Sequence, residues 1–265
     1  MNLRIAFVSL ALASFAATAL ASNANNFTLV NSKSGKSVGK ASYSIDKSKN
    51  VFKVQGRFEY HIPSSDLPSS PQSNTTVVNG RAITNSNEGF VDDGQYTTSY
   101  KVNADGDFLS GFVQNETTLT MTSFEPNKAH TAVTVTSVQA GKIGDGEDLP
   151  IPKPNFLFAA DGDPSAIQIL ITEVLTHPHP DATYLVVVPP GISNHQPDLF
   201  YVTVQPIKDQ PTGTLDGKPI ALKRFIMNFH VGHADIYVDN DGNLMQANMT
   251  PMALKYIRAK FTLNP

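Results

Sequence analysis

The chain of 265 residues contains no cysteine. That absence removes disulfides, thiolate metal sites, iron–sulfur clusters and cysteine nucleophiles together. Whatever folds must be held by its core alone. Charge is sparse as well: 16% of the residues are charged, 20 basic against 23 acidic, for a formal net charge of −3. No basic cluster interrupts this mild acidity, which argues against nucleic acid or an anionic membrane surface as partner. Beyond the first 21 residues no stretch approaches the roughly 18 consecutive apolar residues of a membrane-crossing helix, so no integral membrane anchor is expected. Most catalytic signatures are missing too. His-Glu-x-x-His, the P-loop and Gly-x-Gly-x-x-Gly do not occur. Gly-x-Ser-x-Gly occurs once, at Gly35-Lys36-Ser37-Val38-Gly39, but the strand alternation of Tyr43 and Ile45 follows it in place of the helix that a nucleophile elbow opens, so no catalytic residue and no cofactor are implied.

What is present begins with a targeting segment. Arg4 forms a short basic region, Ile5 to Leu20 is apolar or small throughout, and Ala19-Leu20-Ala21 offers a cleavage site before Ser22. Residues 1–21 are therefore expected to be a signal peptide, and residues 22–265 a periplasmic or secreted β-rich domain.

The rest of the chain is dominated by period-two alternation, the mark of strands whose successive side chains point to opposite faces. Phe225, Met227, Phe229 and Val231 sit at every second position, with Arg224, Asn228 and His230 among the residues between them; Ile236-Tyr237-Val238 then meets Asp239-Asn240-Asp241-Gly242. Asp-Gly between two short apolar runs signals a hairpin, because glycine supplies positive φ at low cost. Phe52, Val54, Phe58 and Tyr60 alternate in the same way, as do Tyr96, Thr98, Tyr100 and Val102. The stretch Val102 to Leu109 repeats the pattern of Val238 to Met245: apolar, polar, x, Asp, Gly, polar, apolar, apolar. Either a duplicated half or two hairpins obeying the same turn chemistry accounts for this. If there are halves, they are 22–142 and 155–265, joined through the Gly- and Pro-rich linker 143–154.

One helix stands out. Asp163 as N-cap with Pro164 at the first position is a start signal. Ala166 to Leu175 then carries apolar residues over most of the circumference, so the helix must be buried. Leu254, Ile257 and Phe261 fit a period near 3.6, which predicts a second, short helix over 252–261. The fold class is thus mainly β, with long curved antiparallel sheets packed on one buried helix.

Candidate chemistry is thin. His177 and His179 in His-Pro-His-Pro stand at i and i+2 of an extended segment and could ligate one metal ion, with Glu173 or His195 as a third ligand. His230 and His233 fall on opposite faces of a strand. The loop around Gly242 fails as a calcium site, because Tyr237 and Asn248 occupy the end positions where oxygen ligands are required. Phe225, Met227, Phe229 and Met245 gather soft side chains in one region, and with Ile169 and Leu170 of the helix they form the candidate binding surface.

The order of export signal, antiparallel strands with Asp-Gly turns, one apolar helix and further strands resembles the periplasmic lipoprotein-carrier class. The resemblance implies a curved half-barrel that covers a helical plug and holds an acyl chain. The leading expectation is a carrier for an apolar or amphiphilic, lipid-like small molecule. The alternatives are a metal-assisted hydrolase using His177 and His179, and an envelope structural or interaction protein recruiting partners at its sheet edges.

Overall fold

A computed structural model describes residues 24–48, 50–61, 75–78, 81–84, 93–103, 107–139, 142–144, 146–151, 157–158, 163–178, 182–188, 198–229, 232–250 and 253–264. The signal segment, His179, His195, His230 and Met252 lie outside them.

Alternating sequence becomes strand throughout. The first strands are β1 (Asn25–Asn31), β2 (Ser37–Ser48) and β3 (Val51–His61), followed by the small pair β4 (Thr75–Val78) and β5 (Arg81–Thr84). Next come β6 (Asp93–Asn103), β7 (Phe108–Asn115), β8 (Thr120–Pro126) and β9 (Ala132–Gln139). The stretch read as a linker carries β10 (Lys142–Ile143) and β11 (Glu147–Pro150), both paired antiparallel to β9. After β12 (Leu157–Phe158) comes the helix α1 (Pro164–Thr176). The remainder is β13 (Thr183–Val188), β14 (Asp198–Ile207), β15 (Thr212–Leu215), β16 (Lys218–Ala221) and β17 (Lys223–Phe229). The last four are β18 (Gly232–Val238), β19 (Leu244–Met249), β20 (Leu254–Arg258) and β21 (Phe261–Leu263).

Sixteen of these strands form one sheet, in the order β10-β9-β8-β7-β6-β3-β2-β1-β20-β19-β18-β17-β14-β13-β12, with β11 also on β9. All pairs are antiparallel except β12 with β13. A sheet on this scale, packed on one helix, is the mainly antiparallel fold that the alternation implies.

The helix expected over 252–261 is not formed: β20 and β21 lie there instead. Leu254 and Tyr256 are buried against the main core, while Ile257 points the other way and packs with Leu222, Tyr237, Met245 and Phe261. That second cluster lies where β15, β16 and β21, a three-stranded sheet, supply Leu215, Ile220 and Leu263. Because both faces of β20 are covered by apolar groups, its apolar positions lose the period of two and mimic a helix.

The two Asp-Gly turns use the same bonds. Asn103 N–H donates to the Asp107 carbonyl (2.9 Å) and Asp239 N–H to the Asn243 carbonyl (3.0 Å). In return Asp107 N–H donates to Asn103 Oδ1 and Asn243 N–H to Asp239 Oδ1, each at 2.8 Å. Each turn also follows a bulge one residue earlier, at Lys101/Val102 and at Tyr237/Val238. The sheet order repeats with them: β8-β7-β6-β3-β2-β1 is followed by β20-β19-β18-β17-β14-β13.

Candidate functional site

The inner face of β2, β3 and β6 is laid down in rows. The register aligns Ile45 with Val54 and Tyr100, then Tyr43 with Gly56 and Thr98, then Ala41 with Phe58 and Tyr96, then Gly39 with Tyr60 and Gly94. α1 docks on the first two of these rows. Asp163 caps it, accepting from Ser165 N–H at 2.8 Å, and its other carboxylate oxygen accepts from the Thr98 hydroxyl. Tyr100 OH and Ser165 Oγ share a hydrogen at 2.8 Å. Gly56 leaves the notch for the carboxylate: a Cβ there would stand 2.6 Å from Asp163 Oδ2 and 2.4 Å from Thr98 Oγ1.

One turn further along, Gln168 joins distant strands. Its Oε1 accepts from Tyr43 OH (2.9 Å) and from Leu244 N–H (2.8 Å), and its Nε2 donates to the Gly242 carbonyl (2.9 Å). Tyr43 and Leu244 lie on β2 and β19, three strand spacings apart, or about 14 Å in a flat sheet. Meeting at one atom, they record the curvature of the sheet around the helix. Ile171 at the centre of α1 is fully buried, and Ile167, Ile169, Leu170 and Val174 are nearly so. The helix is therefore hidden from Pro164 to Ile171 as expected, whereas Leu175, expected to be buried with it, is 40% exposed.

Burial acts on the polar members of this layer. Asp163 is held above the usual carboxylate range by desolvation, against the opposing hydrogen bonds of Thr98 and Ser165. Tyr43 and Tyr100 are pushed up, again chiefly by burial. For Asp163 the folded pKa exceeds the unfolded one, so the folded chain binds the proton more tightly. Stability then falls as pH rises from the ordinary carboxylate value through the raised one, and levels off above it. Asp163→Asn keeps an N-cap acceptor for Ser165 and gives Thr98 a donor instead of an acceptor. Denaturant unfolding from pH 4 to pH 8 is expected to show the stability of the Asn variant gaining on wild type as pH rises. A difference that stays constant across that range would rule this out.

At the far end of the same strands a cavity of about 510 Å3 opens at the rim, lined by Val38, Lys40, Glu59, Tyr60, His61 and Gln95 among others. Tyr60 in its lining belongs to an aromatic stack that continues into the core. Phe58 stacks on Tyr96 with centroids 4.9 Å apart, and Tyr96 lies parallel to Tyr60 at 6.3 Å. Gly94 permits this, because a Cβ there would stand 2.4 Å from the Tyr96 ring.

The residues singled out in the sequence fall into separate places. Phe225, Met227, Ile169 and Leu170 are buried in the main core, with Phe229 packed against it. Met245 belongs to the outer cluster, on the opposite side of the sheet. These six therefore do not line one surface. His177 ends α1, is exposed, and pairs with Glu173 at 3.1 Å; Glu173 was one of the two residues proposed to complete its metal site. Among the described residues no group of three or more histidine or acidic side chains could hold a metal ion. His233 bonds only weakly at its ring, with Nε2 3.3 Å from the Thr250 hydroxyl.

Comparisons with known proteins add little to this geometry. No family model matches the chain, and no curated protein matches it. Among solved structures it is similar to a DUF1089 family protein from Pseudomonas aeruginosa, at 12% sequence identity and a TM-score of 0.39, over 77% of this chain and 87% of that one. No described helix is long and apolar enough to cross a membrane.

Sequence reasoning missed Gln168, Ser165 and Gly56. The signal for them was a polar residue on an otherwise apolar helix and a glycine breaking the alternation of a strand.

Proposed function

We propose that the protein is an exported carrier for an apolar or amphiphilic small molecule, taken up between the inner face of the sheet and α1. The observation that carries this is the way the helix is attached. Its polar bonds to the sheet are concentrated at Asp163, Ser165 and Gln168, within its first two turns. Beyond them, Ile169, Leu170, Ile171 and Val174 of α1 share one apolar cluster with Phe225, Met227, Val202 and Val204 on the far strands. An apolar contact is non-directional and can be exchanged for a ligand's hydrocarbon without leaving a polar group unpaired. The rim cavity beside Tyr60 supplies an opening at the edge of the same inner face. The wall also carries Met227 and Met249, whose side chains adapt to different shapes.

Mass spectrometry of an organic extract of the purified protein tests the reading. A recurring apolar or amphiphilic species in near-stoichiometric amount is expected, as is uptake of an apolar fluorescent probe such as N-phenyl-1-naphthylamine. An empty extract together with no probe uptake would end it.

A further inference from the structure

Arg258, partly exposed, stands on the inner face with one guanidinium nitrogen that lacks an acceptor among the described residues. β20 turns Leu254, Tyr256 and Arg258 to the same side; the first two are 3% and 2% exposed, and Arg258 lies in register with Phe27 on β1, itself 3% exposed. Nη1 of Arg258 is out of contact with solvent and, among the described residues, takes no hydrogen bond. A guanidinium stays charged and presents five donors in a planar fork. Buried polar groups in folded proteins nearly always have a partner, and a charged one left without is costly.

Met245 does not cover the position. Gln246 pairs with Ile257, so the next residue back on β19, Met245, would face Arg258. The bulge between Tyr237 and Val238 instead sends Met245 to the outer cluster. Phe27 stacks on Tyr43 at 5.7 Å, making an aromatic wall beside the guanidinium. Asp163 and Asp239 act on Tyr43 electrostatically, as Arg258 does, yet among the described residues neither forms an ion pair with Arg258.

We propose that Arg258 receives the anionic head group, carboxylate or phosphate, of an amphiphile whose tail lies along the apolar inner wall. The inference rests on the carrier reading and names its ligand class. A planar fork accepts either head group through two parallel hydrogen bonds, and the exchange of an unmet donor for a charged acceptor supplies selectivity.

The test compares three ligands with one hydrocarbon chain: oleate, oleyl phosphate and oleyl alcohol. Each displaces N-phenyl-1-naphthylamine from wild type, Arg258→Met and Arg258→Lys, with folding checked by circular dichroism. Wild type is expected to bind at least one anion about tenfold or more tightly than the alcohol, and the stronger anion identifies the head group. Arg258→Met should bring the anions to the level of the alcohol. Arg258→Lys, which keeps charge but loses the fork, should weaken the anions several-fold and leave the alcohol unchanged, and it decides the matter if the Met variant does not fold. Equal binding of all three ligands, or a preference that survives both substitutions, overturns the inference and leaves the carrier reading standing. Binding of none overturns both.

Discussion

Gln168→Leu should lower stability by about 4 kcal/mol, the largest loss expected from one side chain of similar volume in this fold. The substitution leaves the apolar volume of the helix almost unchanged, so the effect comes from polar groups left behind. Leu244 N–H, the Gly242 carbonyl and Tyr43 OH all lose their partner. Leu244 and Tyr43 are nearly inaccessible to water. Each orphaned buried group costs roughly 1–3 kcal/mol. In thermal unfolding followed by circular dichroism this corresponds to a fall in Tm on the order of 10 °C. A change below about 1 kcal/mol would mean that the bridge between β2, α1 and the β18–β19 turn contributes little.

The second large effect is predicted at Gly56. Gly56→Ala places a methyl group against Thr98 Oγ1 and Asp163 Oδ2, at 2.4 and 2.6 Å. Both atoms are ends of side chains, but they are tied to each other and to Ser165 N–H, so neither swings away freely. Overpacking of this kind typically costs about 1–3 kcal/mol, and here the upper end is expected. A double-mutant cycle separates the cause: Asp163→Ser shortens the cap while still accepting from the helix. In that background Gly56→Ala should cost about 1 kcal/mol less, a coupling that the cycle resolves. Strict additivity would show that the methyl group collides with something other than the helix cap.

Much of this architecture was legible beforehand, for identifiable reasons. The long strands β3, β6 and β17 have one face in the core and one in water, so their alternation is unbroken. Asp163-Pro164 announced α1, because a capping carboxylate followed by a residue with fixed φ has few other uses. β20 was misread because both of its faces are covered. Site residues were harder to see. Gln168, Gly56 and Thr98 come from three elements, and only their register brings them together around one carboxylate or amide. Arg258 was hidden for another reason: a cation at the end of a strand that also carries Lys255 reads as a solvated strand end until the neighbouring strand's bulge is known. Met245 shows the same effect reversed, since that bulge carried it away from Phe225 and Met227.

The junction of β1 with β20 has a consequence for how the chain is made. Phe27 and Arg258 are paired neighbours near the middle of the sheet, although roughly 230 residues of chain separate them, and contacts of such high sequence separation slow folding. During synthesis the free edge of β1 must wait, unpaired, until nearly the whole polypeptide has emerged. Each six-strand series can form from contacts local to itself, and the central seam then closes last. Refolding should accordingly show an early phase that builds most of the strand signal and a slower one that joins the two series. Over that interval the newly made protein depends on whatever keeps an open strand edge from pairing with another chain.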